Sequence, residues 1–155
     1  AGSVTAGNSS QITDGAAALL VGDKQAGIDH NLTPIGILRD YSYVGCDPKR
    51  MGLGPVYAIK DLLKRTSKTI DQADLIEINE AFASVALRYM KDLGIDHKIT
   101  NVNGGAIAMG HPLGATGGVL VSVMLDELER RGLKRAMLSL CVGGGMGIST
   151  IIERV

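Results

Sequence analysis

Short apolar runs alternate with segments of helical periodicity over most of this 155-residue chain. From residue 35 onward, the alternation predicts the element order β-α-β-α-β-α-β-β. The strands are expected at 35–46, 73–79, 98–103, 135–141 and 147–153, and the helices at 54–65, 81–94 and 116–131. Strands that alternate with helices form layered domains, so we predict an α/β fold with a mixed five-stranded sheet. The tight "VGGGM" connection makes the last two strands antiparallel.

An apolar segment, "DGAAALLVGD" at 14–23, precedes this pattern and is predicted to be a buried strand. The sequence "GIDHNLTP" that follows it is typical of a connector, and no helical segment separates it from the strand at 35–46. The segment therefore fits the alternating plan poorly, since parallel strands in one sheet need a crossover between them.

Charge and composition exclude several classes of function. Lys plus Arg and Asp plus Glu number 16 each, so no field of one sign draws the chain to nucleic acid or to an anionic membrane. Aromatic residues make up 3% of the chain, which argues against stacking on bases. The two cysteines, Cys46 and Cys141, lack the spacing of a disulfide framework and suit a reducing compartment. We therefore expect a cytoplasmic protein with neither nucleic acid nor a membrane as its partner.

Three chemically different polar side chains follow predicted strands. Asn79 ends "LIEIN", His111 comes after "KITNVN", and Cys141 ends "MLSLC". Ligands of open α/β sheets collect at the carboxyl ends of the strands, so we expect these three residues to line one site. A structural role stays open for each of them: a small core residue for Cys141, part of a Gly/Pro turn for His111, and a helix cap for Asn79.

Glycines surround two of these side chains. The segment "GGAIAMGHPLGATGG" at 104–118 contains six glycines around His111, and "GGG" at 143–145 follows Cys141. Such loops present bare peptide N–H groups that stabilise an oxyanion, and a cysteine near a histidine serves as a nucleophile or as an acid/base. His-Pro replaces the Lys-Ser/Thr of a phosphate-binding loop, so we expect no such loop here. The H-E-x-x-H and C-x-x-C motifs are absent, so we expect no metal site.

Four blocks of the sequence resemble the thiolase family, in the order in which that family carries them. They are "TAGNSSQITDGAAALLV" (5–21), "NEAFA" (79–83), "NVNGGAIAMGHPLGATG" (101–117) and "CVGGGMG" (141–147). The last three blocks resemble the catalytic loops of the family. The resemblance implies an acyltransferase that catalyses reversible Claisen condensation and thiolysis of 3-ketoacyl-CoA in fatty acid and lipid metabolism. It also implies coenzyme A thioesters such as acetyl-CoA as substrates and no tightly bound cofactor.

The resemblance implies a catalytic role for four residues. His111 would activate the nucleophilic cysteine and donate to a first oxyanion hole, and Asn79 would hold the water that is the second donor of that hole. Cys141 would be the general acid/base that moves the proton at the α-carbon. The peptide N–H of Gly143 would contribute to a second oxyanion hole, which serves the acyl-enzyme. Removing one such donor typically costs about 3–4 kcal/mol of transition-state stabilisation.

Four further residues are implied to bind the substrate. By the same resemblance, Ala6 and Ser10 would line the path of the pantetheine arm. Met51 and Phe82 would lie near the acyl pocket. Taken by itself, Phe82 is most simply a core residue, because it lies on the apolar stripe of the helix predicted at 81–94.

The resemblance also has a gap. The nucleophilic cysteine of the family lies in its N-terminal half, and neither Cys46 nor Cys141 matches that block. We therefore expect residues 1–33 to be the tail of the loop and N-terminal domain, and residues 34–155 to form the C-terminal domain. Such a chain would be inactive alone, would need the thiolase N-terminal half as its partner, and would expose a large apolar face. In the full enzyme we expect a homo-oligomer, a dimer or tetramer, mitochondrial or peroxisomal if eukaryotic.

Two other functions stay open. One is a relative of the decarboxylating condensing enzymes, which resemble thiolases but carry a histidine at the position of Asn79. The other is a non-catalytic binding module with the thiolase fold. The joint presence of Asn79, His111 and Cys141 argues against such a module, because packing requires none of the three.

Overall fold

A mixed four-stranded sheet organises the computed structural model, which describes residues 2–155. Its strands are β1 (Gly36–Gly45), β2 (Leu75–Ile78), β3 (Arg135–Val142) and β4 (Met146–Arg154). They lie side by side in the order β1-β4-β3-β2. β2 and β3 are parallel, whereas β4 is antiparallel to both β3 and β1. The α/β class and the antiparallel final pair are thus confirmed, and the parallel pair brings the carboxyl ends of β2 and β3 to one edge of the sheet.

The long helices form where the periodicity predicts them. In chain order, the helices are α1 (Lys24–Asp29), α2 (Gly54–Thr66), α3 (Ala83–Leu93), α4 (Ala106–Met109) and α5 (Thr116–Arg131). Shorter 3-10 turns occupy Ala6–Asn8, Pro48–Leu53, Ile70–Gln72 and His97–Ile99. α3 and α5 each end at a glycine in the left-handed region, with φ of +66° at Gly94 and +65° at Gly132. Over residues 2–155, no helix has both the length and the apolarity needed to cross a membrane.

Two separate apolar cores lie on the two faces of the sheet. One face packs against α2 and α3 through Ile59, Leu62, Ile76, Ile78, Tyr89, Met137 and Ile151. The other face packs against α5 through Leu75, Leu120, Met124, Leu128, Leu138 and Ile152. Side chains alternate between the faces along each strand, so β2, β3 and β4 supply both cores and the protein has three layers.

The prediction of a fifth strand at 98–103 is wrong. Within residues 2–155, only a single parallel bridge joins Thr100 to Ile76 at this position. The strand stops because Asn101 takes a positive φ of 48° and turns its side chain onto β2. The Asn101 amide accepts from the Ile78 N–H at 2.8 Å and donates to the Ile78 carbonyl at 3.0 Å. A side-chain amide therefore replaces the peptide group that would have continued the ladder.

The prediction of a strand at 14–23 is also wrong. These residues form no strand, and α1 begins directly after them. Their apolar side chains are exposed, with Leu20 and Val21 retaining 84% and 69% of their accessible surface. The segment runs instead along the loop that follows α4 and the first turn of α5, where Gly15 lies against Pro112 and Ala17 against Gly118. An apolar run without a partner strand has no ladder to join, so its composition alone does not make it a strand.

Candidate active site

Asn79 and His111 meet at the carboxyl end of β2. The peptide N–H of Asn79 donates to the Ser139 carbonyl on β3 at 2.9 Å, which fixes Asn79 at the end of the parallel pair. His111 follows Gly110 in the loop between α4 and α5. The Asn79 Nδ2 lies 3.1 Å from the His111 Nε2, and Asn79 is buried with 1% of its surface exposed. The structure thus joins two residues that stand 32 positions apart in the chain.

Thr116 fixes the protonation pattern of the imidazole. The His111 Nδ1 lies 2.7 Å from the Thr116 hydroxyl, which itself lies 3.0 Å from the Pro112 carbonyl. A carbonyl only accepts, so the hydroxyl donates its one proton to Pro112 and accepts from the Nδ1–H of His111. The neutral ring then carries its lone pair on Nε2, toward which Asn79 donates. Burial lowers the pKa of His111, which favours this neutral form.

The glycines around His111 are needed because the N-terminal segment lies close beside them. The Gln11 carbonyl accepts from the His111 N–H at 3.1 Å. A Cβ on Gly110, whose φ is +94°, would come within 2.5 Å of the Thr13 side chain. A Cβ on Gly118 would come within 2.9 Å of Ala17. Small residues at these positions therefore let an extended segment hold the loop that presents the imidazole.

Glu80 connects the loop after β2 to the glycine-rich segment. Its carboxylate accepts from the Asn101 Nδ2 at 2.8 Å and from the Ile107 N–H at 3.4 Å. It also fills the space beside Gly105, where a Cβ would clash with it. Neither Glu80 nor Asn101 was predicted as a site residue, although both stand within the thiolase-like blocks of the sequence. They set the distance between the two loops that carry Asn79 and His111.

Cys141 lies at the same edge of the sheet but faces the other layer. By strand alternation its side chain shares the α2/α3 face with Met137 and Ser139, whereas Asn79 shares the α5 face with Leu75. In the part of the chain that the structure describes, no hydrogen bond joins Cys141 to Asn79 or His111. Burial raises the pKa of the Cys141 thiol, so the group holds its proton at neutral pH.

Gly143 lies in the turn between β3 and β4. It is exposed, and a Cβ built there would meet nothing within 4 Å. The next two residues, Gly144 and Gly145, have φ of +89° and +90°, and Gly145 packs against the Cys46 carbonyl. The positive φ values explain Gly144 and Gly145, and the role of the Gly143 N–H stays a prediction.

The four predicted substrate-binding residues lie along the N-terminal segment and beside α3. The Ser10 N–H donates to the Ala81 carbonyl at 3.0 Å, which places Ser10 next to Phe82. Phe82 packs against the apolar core between the sheet and α3. Met51 is half-buried in the 3-10 turn that precedes α2, and Ala6 is exposed in the first 3-10 turn. Ser10 and Phe82 therefore come together near Asn79, while Ala6 lies farther along the N-terminal segment.

A cavity of about 240 Å³ lies behind the Asn79–His111 contact. Its walls include Thr13 from the N-terminal segment, Glu77 from β2, and Thr116 and Val123 from α5. The sequence analysis missed Glu77 because it stands inside the apolar run "LIEI", where strand patterning predicts a core residue. In residues 2–155, no cluster of three or more His, Cys, Asp or Glu side chains is placed to hold a metal ion.

Comparison with known proteins gives one consistent family. The family model for the thiolase C-terminal domain matches residues 32–154. The acetyl-CoA acetyltransferase of Chromobacterium violaceum is 47% identical over 153 residues, which are 99% of this chain and 39% of that protein. This chain therefore spans about two fifths of the length of the curated relatives that it matches.

Two solved structures have the same fold as this chain. The acetyl-CoA acetyltransferase of Bacillus anthracis superposes with a TM-score of 0.94 at 43% identity, covering 99% of this chain and 39% of that one. The human mitochondrial 3-ketoacyl-CoA thiolase in complex with CoA superposes with a TM-score of 0.89 at 45% identity. That match covers 98% of this chain and 39% of the human one.

Proposed function

This chain belongs to the thiolase family, and on that premise we propose that it carries the C-terminal part of an acyltransferase active site. The proposed reaction is the reversible Claisen condensation and thiolysis of 3-ketoacyl-CoA thioesters. The contact between the Asn79 Nδ2 and the His111 Nε2, at 3.1 Å, is the observation that carries this proposal. It gives a half-buried, oriented imidazole whose unprotonated Nε2 can accept a proton, which is what activation of a thiol requires.

His111 would serve both halves of such a reaction. With Nδ1–H donated to Thr116, the Nε2 lone pair can take the proton of an attacking thiol in place of the hydrogen bond from the Asn79 amide. The resulting imidazolium would then donate an Nε2–H to the oxygen on which negative charge develops. Asn79 would contribute its amide to the same oxygen through a water molecule. In the family resemblance the attacking thiol comes from the N-terminal half, so we propose that this chain alone is inactive.

Cys141 is proposed as the acid that completes carbon–carbon cleavage. When the nucleophile's thiolate adds to the ketone and the C–C bond breaks, the electron pair passes to the α-carbon of the departing acetyl-CoA. That carbon takes a proton from the Cys141 thiol, and the thiolate later recovers a proton from the incoming CoA thiol. A thiol whose pKa is raised by burial keeps the proton that this step needs. The Gly143 N–H would stabilise the acyl-enzyme oxyanion from the adjacent turn.

Coenzyme A thioesters are the proposed substrates of the completed site. The human thiolase that superposes on this chain was solved in complex with CoA, which supports a CoA thioester here. Ser10 and Ala6 would face the pantetheine arm, and Phe82 and Met51 would face the acyl group. We propose a role in fatty acid metabolism, with no tightly bound cofactor.

The N-terminal half of a thiolase is the proposed partner of one exposed apolar surface. The exposed apolar side chains assigned to that surface are Ile12, Leu20 and Val21 of the N-terminal segment and Met109 and Leu113 near His111. Ile12 and Leu113 retain 95% and 73% of their accessible surface. Apolar patches of this kind mark protein interfaces, so we expect the isolated chain to self-associate and the full enzyme to be a homo-oligomer. We propose a cytoplasmic location, or a mitochondrial or peroxisomal one in a eukaryote.

A chimeric enzyme tests this function directly. In the Chromobacterium violaceum relative, residues 1–155 of this chain would replace the aligned 39% of the protein. We expect the chimera to cleave acetoacetyl-CoA with free CoA, His111→Ala to lower the rate by about 10³-fold or more, and Cys141→Ser by about 10²–10⁴-fold. His97→Ala and Cys46→Ser are the matched controls and should keep the rate.

Other outcomes of the chimera assay would identify the alternatives. A folded chimera that binds CoA without turnover would contradict the proposal and favour a binding module. Decarboxylation of malonyl-CoA without thiolysis of acetoacetyl-CoA would favour a decarboxylating condensing enzyme.

A further inference from the structure

One cavity collects three unpaired polar atoms. Within residues 2–155, the buried side-chain atoms without a hydrogen-bond partner are the Thr13 Oγ1, the Glu77 Oε2 and the Asn79 Oδ1. All three residues line the cavity of about 240 Å³ behind the Asn79–His111 contact. Buried polar groups are otherwise almost always paired, so three orphaned atoms around one space point to something that the space holds.

Glu77 is the titratable group of this cavity. It is 2% exposed and lies two residues before Asn79, on the same face of β2. The other acidic groups near it are Asp14, which lines the cavity from the N-terminal segment, and Glu80 from the loop after β2. α5 contributes only Thr116 and apolar side chains to the lining, and the segment 105–110 contributes no charged side chain. No cation therefore faces the Glu77 carboxyl from these elements.

The surroundings keep the Glu77 carboxyl neutral. Burial is the main cause, and the nearby Glu80 carboxylate adds to it, so the pKa of Glu77 rises to about 8. A neutral carboxyl both donates and accepts hydrogen bonds, whereas a carboxylate only accepts. At pH 7 Glu77 is therefore a buried donor without a partner, and the Asn79 Oδ1 is a buried acceptor without one.

The cavity is suited to water. A water molecule occupies about 30 Å³ in the liquid and needs two to four polar partners when it is buried. The space is large enough for several water molecules, and Thr13, Glu77 and Asn79 supply the partners. A chain that starts at the carboxyl proton and ends at the Asn79 Oδ1 would satisfy all three orphaned atoms.

We propose that Glu77 is a positioning residue. As a neutral acid, it orients cavity water to donate to the Asn79 Oδ1. This contact holds the Asn79 amide with its Nδ2 toward His111. The orientation itself follows from this chain alone, and only its catalytic meaning rests on the proposed function. In that function, it would keep the His111 Nε2 as the acceptor that the attacking thiol needs.

Ionisation of Glu77 would reverse this arrangement. A carboxylate attracts donors, so the cavity water would turn its protons toward Glu77 and leave the Asn79 Oδ1 without a donor. The Asn79 amide would then turn its Nδ2 toward the cavity and its Oδ1 toward His111. The His111 Nε2 would have to carry a proton to meet that oxygen. The Thr116 hydroxyl would then turn from the Pro112 carbonyl to donate to the bare Nδ1, so the tautomer of His111 would follow the charge of Glu77.

Nuclear magnetic resonance on the 155-residue chain tests the coupling without any turnover. We would follow the imidazole nitrogens of His111 and the carboxyl carbon of Glu77 from pH 4 to pH 10. In the wild-type chain we expect the Nδ1–H tautomer near neutral pH and a second change in the His111 nitrogens that coincides with the titration of Glu77. Glu77→Gln, which is permanently neutral, should lose this second change, while the exposed control Glu129→Gln should keep it.

The outcomes separate this proposal from the proposed function. His111 nitrogens that stay unchanged while the Glu77 carboxyl titrates in the wild-type chain would overturn the positioning role, whether or not the variants fold. A second change that persists in Glu77→Gln would also overturn it. An inactive chimera would count against the proposed function alone, because this readout requires neither substrate nor the N-terminal half.

Discussion

Buried polar side chains are hydrogen-bonded to one another on one face of the sheet and keep unpaired oxygens on the other. On the α2/α3 face, the Tyr89 hydroxyl lies 3.0 Å from the Ser139 hydroxyl, which lies 2.7 Å from the Ser149 hydroxyl. On the α5 face, Glu77 and Asn79 are buried just as deeply, but each leaves one oxygen unpaired. The first set is a satisfied network inside a packed core, and the second set surrounds a cavity beside a histidine.

This difference distinguishes polar groups that stabilise the fold from polar groups that remain available to a ligand. Polar groups that are fully paired inside a core stabilise one arrangement and have no unpaired donor or acceptor for a ligand. Groups left unpaired in a cavity cost stability and persist where water or a substrate uses them. The polar residues around Asn79 and His111 belong to the second kind, which supports the assignment of this edge of the sheet as the site.

The largest difference between the faces should appear in the pH dependence of stability. The folded chain keeps the Glu77 proton up to about pH 8, whereas the unfolded chain releases it near the ordinary value of 4.5. The folded state therefore binds more protons in this window, and the free energy of unfolding should fall as pH rises, by at most about 1.4 kcal/mol per pH unit. Above about pH 8 this contribution is lost and the decline should end.

Urea unfolding at several pH values between 5 and 9 measures this dependence. Glu77→Gln should flatten the decline, since a neutral amide releases no proton, and the exposed Glu129→Gln is the control that should retain it. An equally steep decline in Glu77→Gln would show that another group causes it, and the contrast between the two faces would lose its main support.

A smaller effect should distinguish a paired hydroxyl from an unpaired one. Tyr89→Phe removes a hydroxyl from the network with Ser139 and should cost about 1 kcal/mol of unfolding free energy. Thr13→Val removes the unpaired hydroxyl of the cavity and should cost less than about 0.5 kcal/mol, because no protein partner is left unsatisfied. Chemical denaturation of both variants measures the difference, and equal costs would contradict it.

Sequence patterns were sufficient for the elements that pack through one periodic face. α3 and α5 begin and end close to their predicted limits, because amphipathic periodicity and a terminal glycine mark them. The contact of Asn79 with His111 follows the expectation that polar residues converge at the carboxyl ends of strands. The thiolase resemblance placed both residues in catalytic loops, and the family comparison agrees with that resemblance.

Sequence patterns failed where one side chain or one neighbour decides the backbone. Asn101 ends the predicted fifth strand by bonding β2 through its side chain, and no periodicity signals such a bond. The segment 14–23 has the composition of a strand but finds no partner strand in the residues that the structure describes. Sequence patterns did not predict Glu77 as a site residue, because a buried carboxyl within an apolar strand stands at the same alternating positions as a core residue.

The tautomer of His111 at pH 7 tests the central claim most directly. Thr116 and Asn79 hold a neutral imidazole with the proton on Nδ1 and the lone pair on Nε2, where it can accept a proton. Nitrogen chemical shifts of the labelled ring in the wild-type chain should show Nδ1 protonated and Nε2 bare. A bare Nδ1 with a protonated Nε2, or a ring protonated on both nitrogens at pH 7, would contradict the account.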